Sequence, residues 1–328
     1  MGIWFLWTAL VVTVLVAGFL VYLLLATRRI AGEAERLVPP GGSFVDVEGC
    51  RIHYVERGEG PVILMIHGLG GQHHHMRRPL MEEFGEGYRL IAMDRPGSGY
   101  STRPKQFDGR LTEQARLVAG FIDALKLERP LLVGHSLGGA IALATALDHP
   151  DKISGLALIA PLTHFLDQLP PEFRALHIRS PLVRRFVSET MAIPASVRAS
   201  EQTLAFVFGP QKPPADFAVA GGALAGLRPA HFYGTSTDMV AIAHDLPAMQ
   251  RRYEEIAMPV GILFGDSDRV LSHAVHGLPM KERIANIDLE IAEGVGHMPQ
   301  YAVTRQVVAF IRRIAARAFA LEPAARLQ

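Results

Sequence analysis

Pro130-Leu131-Leu132-Val133-Gly134-His135-Ser136-Leu137-Gly138-Gly139, continued by Ala140-Ile141-Ala142-Leu143-Ala144, is the stretch that decides how this chain is read. Its short apolar run predicts a buried strand, Gly134-x-Ser136-x-Gly138 a sharp turn, and the Ala/Leu-rich continuation a helix. A turn this tight needs neighbours almost without side chains, and it pushes the serine hydroxyl out at the carboxyl edge of a sheet. Ser136 is therefore the candidate nucleophile. The five-residue pattern is weak alone and gains weight only from its strand and helix setting.

Working outward, 328 residues with 49% hydrophobic content suffice for one large α/β domain with an insertion. A net charge of +1 gives no electrostatic footprint for nucleic acid. The single cysteine, Cys50, cannot form an internal disulfide and reads as a small buried hydrophobe.

Residues 3–26 contain no charged side chain. Twenty-four helical residues span roughly 36 Å, enough for a hydrocarbon core of about 30 Å. A cleavable signal peptide would need a basic start and a shorter apolar run, so an uncleaved anchor over residues 1–30 is expected. Arg28 and Arg29 follow the span with no basic residue before it, which predicts a cytoplasmic catalytic domain. Residues 31–42, ending in Pro39-Pro40-Gly41-Gly42, read as a linker.

Residues 43–47 and 51–56 alternate around Glu48-Gly49 and predict a hairpin, and 62–66 is a continuous apolar run expected of a strand buried on both faces. His67-Gly68-Leu69-Gly70-Gly71 follows it. Gln72-His73-His74-His75 invites a metal, but adjacent imidazoles seldom point at one ion; a solvated loop is expected, and no metal site. A further strand at 88–93 runs into Asp94-Arg95-Pro96-Gly97-Ser98-Gly99, a loop that Asp94 and Arg95 are expected to tie down. Residues 111–127 show helical spacing and 153–159 strand character.

Prolines at 170, 171, 181, 194, 210, 213 and 214 cut residues 163–258 into short helical pieces. There, Arg174, Arg179, Arg184 and Arg185 read first as a solvated face, with contact to an anionic bilayer as the alternative. Strand pattern returns at 259–264, before Gly265-Asp266-Ser267-Asp268, and again at 287–291, before Gly294-Val295-Gly296-His297-Met298. Residues 300–320 predict a closing helix, and 321–328 a tail.

Four of these loops, His67-Gly68-Leu69, Gly134 to Gly138, Gly265 to Asp268 and Gly296-His297, together resemble the α/β-hydrolase fold superfamily. The resemblance covers about residues 43–320. It implies a mostly parallel eight-stranded sheet flanked by helices, with the core at 43–162 and 259–320 and a helical cap at 163–258 roofing an apolar pocket. It also implies a triad of Ser136, Asp268 and His297, in the order this fold uses, with Leu69 and Leu137 amides as the oxyanion hole and no cofactor.

The expected activity is a membrane-anchored serine hydrolase acting on carboxylic esters, carboxylesterase or lipase-like, with an apolar or lipid-like small-molecule ester as partner. The Asp94 loop resembles that of epoxide hydrolases and haloalkane dehalogenases, but those use an aspartate nucleophile where Ser136 stands. A carbon–carbon bond hydrolase, a serine-type haloperoxidase and a catalytically silent tethered binding module are the alternatives.

Overall fold

The computed structural model describes residues 2–168 and 170–320; the expected tail at 321–328 lies outside the described residues. Eight strands form one sheet: β1 Ser43–Val47, β2 Cys50–Arg57, β3 Val62–Ile66, β4 Arg89–Met93, β5 Leu131–His135, β6 Gly155–Ile159, β7 Val260–Gly265 and β8 Asp288–Ala292. Their order is β1-β2-β4-β3-β5-β6-β7-β8. The first two are antiparallel to their neighbours and the rest are parallel. The β1–β2 hairpin turns at Glu48 and Gly49, both at positive φ, as its two-residue loop requires.

The central strands are buried on both faces, and alternation sends their side chains to two cores. Leu64, Ile66 and Leu132 pack with Leu117 and Phe121 of α2 (Leu111–Ala124) and Ile141 of α3 (Leu137–Asp148). Ile63, Met65, Leu131 and Val133 pack on the other side with Phe310, Ile311 and Ile314 of the closing helix, Thr304–Ala320. Each such aliphatic or aromatic side chain contributes about 1.5–3 kcal/mol on burial. Cys50 is buried in the first core, and burial pushes its thiol up to about 11.

Two helical boundaries differ from expectation. The helix at 111 stops at Ala124 because Lys126 takes a left-handed φ of 52°, and the closing helix is broken at Val303, whose φ of −135° and ψ of 51° are not helical.

The larger difference is at the amino terminus, where α1 runs Gly2–Leu37 and absorbs most of the linker expected at 31–42. Leu23, Thr27 and Ala34 are buried along one side of it, with Val38 just past its end, at spacings of four and seven that make one helical stripe. That stripe packs on the helices inserted after β6, and Thr27 Oγ1 donates to the Thr190 carbonyl at 2.6 Å. Packing thus sustains a helix that Pro39 and Pro40 then stop. The part before Thr27 has the length and composition of a membrane span or a signal sequence, and its large side chains from Ile3 to Tyr22 are exposed.

Between β6 and β7 the chain leaves the sheet for α4 (Pro181–Glu189), α5 (Ala192–Phe208) and α6 (Pro229–Met249), joined by short 3₁₀ turns. Arg184 on α4 departs from the expected solvated face. It is 4% exposed, donating to the Ile178 carbonyl and the Ser236 and Thr237 hydroxyls.

Candidate active site

The loops that leave β3, β5, β7 and β8 meet at the carboxyl edge of the sheet, because parallel pairing brings those strand ends side by side. Ile66 is level with Gly134 and Gly265 with Ala292. Ser136 stands between β5 and α3 with φ 54° and ψ −119°, a conformation costly for a residue with a side chain. Close packing enforces it. A Cβ at Gly134 would lie 2.5 Å from the Gly138 carbonyl oxygen, and one at Gly138 2.2 Å from that of Ile66. The hydroxyl sits at the amino end of α3, 9% exposed as a residue.

His297 and Asp268 are brought together, His297 Nδ1 lying 2.8 Å from Asp268 Oδ2. The other carboxylate oxygen accepts the Val270 and Leu271 amides at 2.8 and 2.9 Å, which fixes its direction. Asp266 is kept apart from this pair; it accepts the Gly294 amide at 2.8 Å and ties the β7 loop to the β8 loop. Ser136 and His297 line one cavity without a direct hydrogen bond between their side chains. Such contacts are often long in free enzymes and tighten around substrate. Leu69 and Leu137 line the cavity beside Ser136, and among the described residues neither backbone amide donates to a protein acceptor.

The His67-Gly68 turn is held from behind. Arg95, 1% exposed, donates to the His67 and Gly68 carbonyls at 3.1 Å, to Gln114 at 2.8 Å and to Asp238 of α6 at 2.6 Å. Asp94 accepts the His73 and Tyr100 amides and sits against the imidazoles of His53 and His73. Burial acts to raise Asp94, yet the His73 and His53 rings outweigh it and hold the carboxyl well below the usual carboxylate range.

The loop expected to be solvated at 73–75 is therefore a correction, since the Asp94 carboxylate draws His73 to 2% exposure. His53, His73 and Asp94 offer ligand atoms within 4.8 Å of one another. With both oxygens of Asp94 already engaged by amides and rings, the cluster acts as a hydrogen-bonded brace.

Other positions were not visible in the loop patterns. His135 Nε2 lies 2.9 Å from the His297 carbonyl, and burial first, then the charge of His297, holds this imidazole well below its ordinary value. A neutral ring donating there supports the histidine loop from the elbow side. Gln211, in the segment after α5, bonds both the Gly294 carbonyl at 2.7 Å and the Gly296 amide at 2.9 Å. Its only sequence signal was a polar residue among prolines.

Ser136 lies where two chambers meet, with Leu69, Phe173 and Val270 lining both. One, of about 290 Å³, is walled by Leu162, Phe165, Met239, Ile242 and Leu246. The other, of about 240 Å³, is walled by Leu204, Val207, Phe208, Phe217 and Met298. The arrangement can present a hydroxyl, a carboxylate-oriented imidazole and two free amides to a group with apolar substituents on both sides.

The sequence pattern of the alpha/beta hydrolase fold family matches residues 61–302. Haloalkane dehalogenase 2 of Mycobacterium tuberculosis is 35% identical over 123 residues, covering 38% of this chain and 43% of the relative. The 2-hydroxy-6-oxo-6-phenylhexa-2,4-dienoate hydrolase of Comamonas testosteroni is 38% identical over 122 residues, covering 35% and 42%. The chain thus matches less than half the length of these curated relatives. Among solved structures, one described as a membrane phospholipase A and bacterial virulence factor superposes with a TM-score of 0.66 at 26% identity, covering 96% of this chain and 99% of that one.

Proposed function

Since the chain belongs to the α/β-hydrolase fold family, we propose that it is a membrane-anchored serine hydrolase that cleaves carboxylic esters with apolar acyl groups. The observation that carries this reading is the position of Ser136, at a strained turn between two apolar chambers, with the His297–Asp268 pair facing the second. The resemblance to a membrane phospholipase over nearly the whole chain supports a lipid-like substrate. The apolar stretch of α1 supports the anchor, and Arg28 and Arg29 after it support a cytoplasmic domain by the positive-inside rule.

In this mechanism His297 removes the proton from Ser136 as its oxygen attacks the ester carbonyl. Asp268, hydrogen-bonded to Nδ1, keeps Nε2 free to receive that proton and stabilises the imidazolium. The Leu69 and Leu137 amides take the developing oxyanion, worth about 10² to 10³ in turnover per donor. Collapse passes the proton to the leaving alcohol and leaves an acyl-Ser136 ester, which water cleaves by the same route. Gly134 and Gly138 matter here because a Cβ at either would collide with a neighbouring carbonyl oxygen and push the turn open.

A fluorophosphonate probe tests the assignment. Labelling of Ser136, and loss of p-nitrophenyl ester hydrolysis by about 10⁶ in Ser136→Ala, is the expected result. Full activity in a folded Ser136→Ala protein removes this reading.

A further inference from the structure

Helix α4 is amphipathic the wrong way round for a helix in water. Arg184 and Ser188, one turn apart, face inward and are buried, whereas Leu182 is 83%, Val183 50% and Phe186 46% exposed. The inward arginine is satisfied by the Ile178 carbonyl and the Ser236 and Thr237 hydroxyls, so the orientation is specified by a full set of bonds. A second observation says what covers the outer face. Thr190 follows α4 directly, its carbonyl accepts the Thr27 hydroxyl, and its own hydroxyl donates to the Phe186 carbonyl at 2.6 Å. Thr27 is the first residue after the uncharged stretch of α1 and precedes Arg28 and Arg29. Phe186 and the exposed Met191 therefore lie within about one helical turn of the level at which α1 would leave a bilayer.

We propose that the outer face of α4, with Met191, rests in the headgroup layer of an anionic membrane, the same bilayer that α1 crosses. This rests on the reading of α1 as a membrane span. The surface has the composition such contact needs, apolar side chains for the acyl boundary bordered by exposed Arg179, Arg185 and Arg198 for anionic headgroups. The buried stripe at Leu23, Thr27, Ala34 and Val38 makes the docking rigid, because anchor and inserted helices pack as one piece.

The test uses the full chain in vesicles of phosphatidylcholine with phosphatidylglycerol, carrying an environment-sensitive fluorophore on one introduced cysteine; the native Cys50 is buried. Three sites are compared: Phe186→Cys, Leu15→Cys within the apolar stretch, and Asp151→Cys at the opposite, amino-terminal edge of the sheet. Quenching by a headgroup-depth nitroxide lipid at position 186, at least threefold above position 151, is expected, with position 15 shielded from aqueous quenchers. Position 186 as unquenched as 151, with 15 shielded, overturns the docking while leaving the anchor intact. Position 15 open to aqueous quenchers overturns both. The triple change Leu182→Ser, Val183→Ser, Phe186→Ser is expected to lower hydrolysis of a vesicle-borne long-chain ester about tenfold and leave a soluble butyrate ester unchanged. Equal rates on vesicles would also overturn the proposal.

Discussion

At the carboxyl edge of the sheet, Ser136 and the loops beside it are positioned mainly by backbone. Ser136 is set by a turn whose glycines touch neighbouring carbonyls, and the amides proposed for the oxyanion belong to Leu69 and Leu137 next to it; only the His297 ring is aimed by a side chain, Asp268. In the helices between β6 and β7, position is held by side chains reaching across gaps: Arg184 to α6, Gln211 to the histidine loop, Asp238 to Arg95. Backbone contacts leave no room for a larger residue at the glycines, whereas a side-chain strut can change only together with its partner. The edge is suited to keeping one chemistry, and the inserted helices to varying what reaches it.

The largest expected effect probes the edge. Asp268→Asn leaves the shape of the loop but favours the imidazole tautomer with the proton on Nε2, and kcat for a soluble ester should fall by about 10⁴ in stopped assays. Retention of activity within tenfold would move the chemistry elsewhere. Next comes the seam between the regions. Asp238→Ala takes the only carboxylate that pairs with Arg95 and Arg103 among the described residues and leaves two buried guanidinium charges uncompensated, so urea unfolding should show a loss of about 3–5 kcal/mol. A loss confined to α6, with the sheet still folded cooperatively, would show the two regions to be separable.

Acid should weaken both regions through histidines that are buried or half-buried in their neutral form. Burial holds His75 down to about 3, and His231 and His276 to about 4. Each prefers its neutral form when folded, so its contribution is complete above the unfolded value near 6.5 and is lost as pH falls toward the folded value. Between pH 6.5 and 4 stability should drop by up to about 1.4 kcal/mol per unit for each, read as Tm against pH. The smallest effect is specific to the insertion. Ile242→Phe fills part of the larger chamber and should cut kcat/KM for long acyl esters about tenfold relative to acetate, leaving acetate turnover nearly unchanged.

These differences also explain what could be read from the chain alone. Strands β3, β5, β6, β7 and β8 lie close to their expected positions because continuous apolar runs and Gly-bounded loops are local signals. The pairing of His297 with Asp268 was legible only through the resemblance of the loops after β7 and β8 to those of the α/β-hydrolase fold, each residue lying a few positions past its strand's end. The continuation of α1 to Leu37 was hidden, because what sustains it is the packing of Leu23, Thr27 and Ala34 against residues more than 160 positions later. His73 was misread for a similar cause, its partner Asp94 lying on another strand end. Arg184, Asp238 and Gln211 had no local pattern at all, for each finds its role only across a tertiary gap.

The unbroken run of α1 from the apolar stretch into its contact with the inserted helices has one more implication. Ten helical residues beyond Thr27 amount to about 15 Å of stiff shaft, with no joint before the prolines. Under the proposed anchoring, such a shaft carries the domain at one height above the bilayer. Turnover of a membrane-borne ester would then follow its surface density at that single depth.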